Sequence, residues 1–146
     1  MGTEIKPTPP QPPMPDYHVY YDKQNDVICI DYGAGIVLNE AIFTHVIEDV
    51  ARISKTLSHK VFVVANLNGS TIDTSLQQNY EKYYSGTLQH VRGVVRYNVT
   101  NLLTSVTIRS TTVTKRLQGS QSHIYRTKEA AIEAVRRLEQ PEPPPA

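Results

Sequence analysis

Ser70, Thr71, Asp73, Thr74 and Ser75 bring four hydroxyls and one carboxylate into six residues. Aspartate is a favoured capping residue. A helix capped by Asp73 would present Thr74 and Ser75 in its first turn, where unsatisfied backbone N–H groups and the helix dipole favour an anion or a phosphate. A phosphoryl group on either hydroxyl would add a charge of about −2 there and alter how a partner docks. A plain capping turn rich in hydroxyls is the alternative reading of the same residues.

Other reactive side chains are less well arranged. Cys29 stands between two isoleucines, with no histidine or cation placed near it by the sequence, and reads as a buried inert thiol. The histidines at 18, 45, 59, 90 and 123 show no ligand spacing, so no metal is expected. Gly33-Ala34-Gly35 precedes a helix, but Leu38 occupies the place of a third glycine, and no dinucleotide or other cofactor is expected. No nucleophile elbow, phosphate-binding loop or paired-carboxylate motif is present, which argues against an enzyme.

Charge is uneven along the chain. Residues 82–128 hold eight bases and no acid, whereas residues 16–81 hold nine acids and four bases. Arg92 and Arg96 are expected on one strand face, and Arg109 and Arg116 on one helix face two turns apart, as candidates for an anion or nucleic-acid surface. The alternative is that these bases pair with the acidic half or lie dispersed in water. The net charge of only +1 argues against nucleic acid as the partner.

These residues need a scaffold. Residues 17–32 form two short β runs split by Lys23, Gln24 and Asn25, a hairpin pattern. Asn39 can cap a helix whose buried stripe is Ile42, Val46, Val50, Ile53 and Leu57. Residues 61–65, Val-Phe-Val-Val-Ala, are apolar on both faces and predict an inner parallel strand. Leu76, Tyr80, Tyr83, Tyr84 and Leu88 mark a second helix, followed by a β run over residues 90–99. A third helix carries Leu102, Leu103, Val106, Val113 and Leu117 and closes at Gly119. Residues 123–125 form a strand, and Thr127 caps a last helix with Ala131, Ala134, Val135 and Leu138. The order β-β-α-β-α-β-α-β-α predicts an α/β domain with an N-terminal β-hairpin on a mostly parallel sheet.

All ten prolines of the 146 residues lie at positions 7–15 and 141–145. Proline breaks helix interiors and sheet ladders, so residues 16–140 read as one domain and residues 1–15 and 141–146 as disordered polyproline tails. No apolar run reaches membrane-spanning length and the first residues lack a signal-peptide core, which predicts a cytoplasmic, soluble protein.

The order of elements and residues 61–75, from Val61-Phe62-Val63-Val64-Ala65 through Asn66 and Gly69 to Asp73-Thr74-Ser75, resemble the STAS domains, the sulphate transporter and anti-sigma factor antagonist family. The resemblance spans residues 17–140. It implies a SpoIIAA-like fold and a phosphorylation switch at Thr74. Asn66 stands where the family has aspartate, and Leu76 where it has glycine. Residues 91–97 and 124–131 are similar to the divergent branch grouped with lipid-binding SEC14-like modules. The expected function is a non-enzymatic regulatory module that binds a protein partner. A small-ligand or lipid carrier, with Tyr80, Tyr83 and Tyr84 as wall, is the second reading, and the basic surface over residues 82–128 the third. The oligomeric state is left open by the sequence.

Overall fold

The computed structural model describes residues 16–100 and 124–139. The proline-rich ends and the stretch expected to form a third helix, with Arg109, Arg116 and Gly119, lie outside these residues.

Strand β1 (Tyr17–Asp22) and strand β2 (Val27–Tyr32) pair antiparallel over six residue pairs. The turn between them is held by the Asp22 carboxylate, which accepts from the Asn25 backbone N–H at 3.2 Å and from its side-chain amide at 2.8 Å. The two-residue β3 (Val37–Leu38) leads into α1 (Glu40–Ser54), whose Asn39 cap accepts from Ile42 N at 2.8 Å. Then follow β4 (Phe62–Asn66), the short β5 (Thr71–Ile72), α2 (Thr74–Leu88) and β6 (Gly93–Tyr97). Strand β7 (Ile124–Tyr125) and α3 (Lys128–Glu139) end the described chain, and the Thr127 hydroxyl accepts from Ala130 N at 3.1 Å as expected of a cap.

The main sheet runs β1-β2-β4-β6-β7, and every pairing except the hairpin is parallel. An inner parallel strand must be apolar on both faces because each face is covered. On one face Ile28, Ile30, Val63, Ala65 and Val94 meet Val46 and Val50 of α1 and Leu76, Tyr80 and Tyr84 of α2. On the other, Val27, Cys29, Phe62, Val64 and Val95 meet Ala131 and Val135 of α3. Gly93 is required by close approach: a Cβ there would lie 2.9 Å from the Phe62 ring.

Two expectations change. Strand β6 covers five residues rather than the ten of the β run, because residues 90–92 turn out of helix α2 before the ladder begins and Asn98, at φ 58°, leaves the extended backbone after it. The stretches on either side of α1 and β4, expected as turns, contain β3 and β5, which form a second sheet with Val37 opposite Thr71 and Leu38 opposite Ile72. Two residues give no readable periodicity, so only long-range pairing defines these strands.

Ile28 is fully buried. Ile28→Ala should cost about 2–5 kcal/mol, read as a lower urea midpoint at unchanged slope. Burial, reinforced by the Asp49 carboxylate that accepts from it at 2.7 Å, raises the Tyr17 phenol to about 12. Burial also raises Tyr97 to about 12 and pushes Tyr20 and Tyr32 upward. The folded protein keeps these protons where the unfolded chain, titrating near pH ~10, has lost them. This contribution to stability is whole below that pH and is lost as pH rises through the folded values. The thermal midpoint should therefore fall between pH 10 and 12, and Tyr17→Phe should flatten the fall.

Candidate functional site

The hydroxyl-rich corner is built by backbone hydrogen bonds that converge from three strand ends. Leu67 N donates to Tyr97 O at 3.0 Å and Gly69 N to Asn98 O at 3.1 Å, which fastens the segment after β4 to the end of β6. Gly35 N donates to Asn68 O at 3.1 Å, and the Asn68 amide to Tyr32 O at 3.0 Å, which fastens it to the end of β2. Asn68, Gly69 and Gly35 all have positive φ, at 51°, 72° and 65°. These left-handed turns suit asparagine and glycine. Thr71 N then donates to Ile36 O and Asp73 N to Leu38 O, each at 2.9 Å, completing the β3-β5 pairing.

The corner delivers Asp73 as the N-cap of α2, its Oδ1 accepting from Leu76 N at 2.8 Å. Gln77 adds a bond from its side-chain amide to Ile72 O at 3.0 Å. Thr74 and Ser75 occupy the first two helical positions and are exposed. Glu40 at the start of α1 accepts from Asn79 at 3.1 Å and from the Tyr83 hydroxyl at 3.0 Å, so a carboxylate ties the start of α1 to the second and third turns of α2. Beside the corner, Val37 is 56% exposed, and it is the exposed large hydrophobic side chain among the described residues. It lies opposite half-buried Thr71. Ser70 is buried at 1% exposure and is out of reach of a modifying enzyme in this arrangement. The surface thus comprises an apolar side chain, accessible hydroxyls and a capping carboxylate at the positive end of a 15-residue helix.

No family model and no curated protein matches the chain. Among solved structures it is similar to the anti-sigma factor antagonist SpoIIAA in its unphosphorylated form, with 10% identity, a TM-score of 0.57, and coverage of 85% of this chain and 99% of that one. It is also similar to the Bacillus cell fate determinant SpoIIAA in the phosphorylated form, with 9% identity, a TM-score of 0.51, and coverage of 84% and 99%. The fold is STAS-like.

Other sequence candidates fall elsewhere in the STAS-like scaffold. Arg92 and Arg96 do not share a surface. Arg92 is exposed, with its guanidinium 5.1 Å from the centre of the Phe62 ring, on the α3 side. Arg96 is 3% exposed and stands on the opposite side, 4.9 Å from the centre of the Tyr84 ring. Arg92 lies outside the strand, so alternation does not fix its direction. The tyrosine cluster divides as well: Tyr83 turns to Glu40, while Tyr80 and Tyr84 line a cavity of about 40 Å³ between the sheet and α1 and α2. Arg96, Tyr32, Phe43, Thr87 and aliphatic side chains complete its wall. That is room for a water or two, far short of the ~300–1,000 Å³ of ligand pockets.

The Cys29 thiol is buried, and loss of hydration raises its pKa, which suppresses the nucleophilic thiolate. One constellation escaped the sequence. At the opposite end of the sheet, His59 Nε2 lies 2.6 Å from Asp26 Oδ2, Ser58 Oγ lies 3.1 Å from His59 Nδ1, and the Tyr21 hydroxyl donates to Asp26. The bond from Tyr21, then His59, holds the Asp26 carboxyl below its ordinary range. The group is largely exposed and lines neither the cavity nor the groove beside α3, so it works as a staple between the hairpin turn and the approach to β4. Asp26 and His59 are 33 residues apart, and no spacing rule links them.

Asp73→Ala removes the α2 cap and should lower stability by about 1 kcal/mol, with Asp73→Asn costing less. Chemical denaturation of the two variants measures the difference.

Proposed function

We propose that this chain is a non-enzymatic regulatory module whose partner is another protein, bound on the surface made by Val37, Thr71 and the first turn of α2, with Thr74 or Ser75 as the phosphorylated switch. The observation that carries this reading is the exposure of Val37 opposite Thr71 in the strand pair that leads into α2, whose first two residues, Thr74 and Ser75, carry accessible hydroxyls. Isolated apolar exposure is ordinary, but here it lies in the strand pair that leads into a helix start where added charge would act on a docked surface. Phosphate at Thr74 would gain from the helix dipole and backbone N–H groups while standing next to the Asp73 carboxylate, so the modification would change the field of the corner without dismantling the fold. The likeness to SpoIIAA in unphosphorylated and phosphorylated forms supports the same reading, with Thr74 rather than Ser70 as the accessible acceptor.

Affinity capture from the native cell, followed by binding measurements with the purified partner, tests it. Val37→Asp should weaken binding at least about tenfold, equivalent to ~1.4 kcal/mol, at an unchanged unfolding midpoint. Thr74→Glu should shift affinity by a similar factor, and intact mass spectrometry of native protein should show a phosphoform lost in Thr74→Ala or Ser75→Ala. Equal binding by wild type and Val37→Asp, or turnover of a small substrate by the purified chain, would reverse the proposal.

A further inference from the structure

Strand β1 forms one border of the main sheet, and its outer side pairs with no described strand. The direction of its backbone groups follows from one bond. Gly33 N donates to Asp16 O at 2.8 Å, which makes Asp16 and Gly33 a hydrogen-bonded pair in the register that matches Tyr17 to Tyr32. Such pairs alternate along an antiparallel ladder. His18, Tyr20 and Asp22 therefore turn their N–H and C=O groups toward β2, and Tyr17, Val19 and Tyr21 turn theirs outward.

Border strands in natural proteins are usually blunted by lysine, proline, a bulge or shortness. Strand β1 has none of these: its six residues, Tyr-His-Val-Tyr-Tyr-Asp, are mostly strong β formers and match β2 one for one without a bulge. The opposite border, β7, comprises two of the described residues. A border that carries none of these devices and pairs with no strand among the described residues is a template for another strand.

We infer that the occupant is β1 of a second copy of this chain, joined antiparallel about a two-fold axis at Tyr20 to make one sheet continuous across the dimer. The side chains select this arrangement. Residues directly opposite one another must lie on the same sheet face, so only registers pairing odd with odd and even with even positions are allowed. With Tyr20 opposite its symmetry mate, Val19 meets Tyr21 through the outward backbone groups, and His18 meets Asp22 on both sides of the axis. Shifting the axis to Val19 sets Asp16 opposite Asp22 twice, two carboxylates facing each other across the seam. Like charges directly opposite destabilise, whereas an imidazole opposite a carboxylate can hydrogen-bond to it, which favours the register centred on Tyr20 over the one centred on Val19. His18 is exposed and lies stacked on Tyr20 at 4.9 Å between ring centres, so the imidazole is already placed along the border. One short seam of strand buries less than the surface of a standard stable interface, which makes this a weak, concentration-dependent dimer.

Sedimentation velocity of the full chain at neutral pH, from about 10 μM to about 1 mM, tests the inference, a range that brackets weak association. Wild type should move from monomer toward dimer. His18→Asp places like charges opposite Asp22 and should raise the dissociation constant about tenfold, whereas His18→Lys should keep or tighten it. Val19→Pro removes an outward N–H that β2 does not use and should leave a monomer throughout. If Val19→Pro fails to fold by circular dichroism, the exposed His18 substitutions still decide the matter. A wild-type monomer at every concentration, or a His18→Asp dimer as tight as wild type, overturns the inference. Val37 and Thr74 play no part in this seam, so its failure leaves the proposed function standing.

Discussion

The pairing of β3 with β5 is the constraint on which the site depends. It involves only two residues from each strand, yet it joins the segment before α1 to the segment before α2 and sets where both helices begin. Neither strand could persist alone, since each is far too short to hold its own backbone in place. They persist because Leu38 and Ile72, at 1% and 6% exposure, are anchored in the core beneath them. The bonds from Asn68, Gly69 and Leu67 to the ends of β2 and β6 hold the rest of the corner. A polar, hydroxyl-bearing helix start is thereby made rigid by buried apolar side chains and backbone bonds, while its hydroxyls remain in solvent.

The same division of labour runs through the molecule. Apolar residues occupy both faces of β2, β4 and β6, and the polar groups gather at the two ends of the sheet. At the carboxyl ends of the parallel strands stand Asn66, Asn68 and the capped start of α2. At the other end stands the staple of Tyr21, Asp26, His59 and Ser58. Arg96 is the exception, a cation inside the core against Tyr84. A guanidinium tolerates such a place better than an ammonium, because its flat, weakly hydrated face can lie on an aromatic ring.

Much of the fold could be read from the chain. The stripe of α1, its Asn39 cap, the doubly apolar β4 and the Asp73 and Thr127 caps are all local patterns whose physical meaning does not depend on distant residues. A mostly parallel sheet follows once helices of this length are placed between short strands, because parallel neighbours require a crossover. What resisted reading were features with no local period. The short β3 and β5 look like loops until they are paired. The direction of Arg92 could not be inferred because it stands just outside its strand, and the split of Tyr83 from Tyr80 and Tyr84 depends on where Glu40 comes to rest.

Residue types and spacing thus determined the class of fold, the capping of α2 and the clustering of hydroxyls after β4, since helix caps and alternation act over a few neighbouring residues. Only the tertiary structure decided that Thr74 and Ser75 face solvent while Ser70 does not, that exposed Val37 lies opposite Thr71, and that Arg96 is buried. Those outcomes depend on which distant backbone and side-chain groups meet, and exposure is a property of the packed surface rather than of any single stretch of chain.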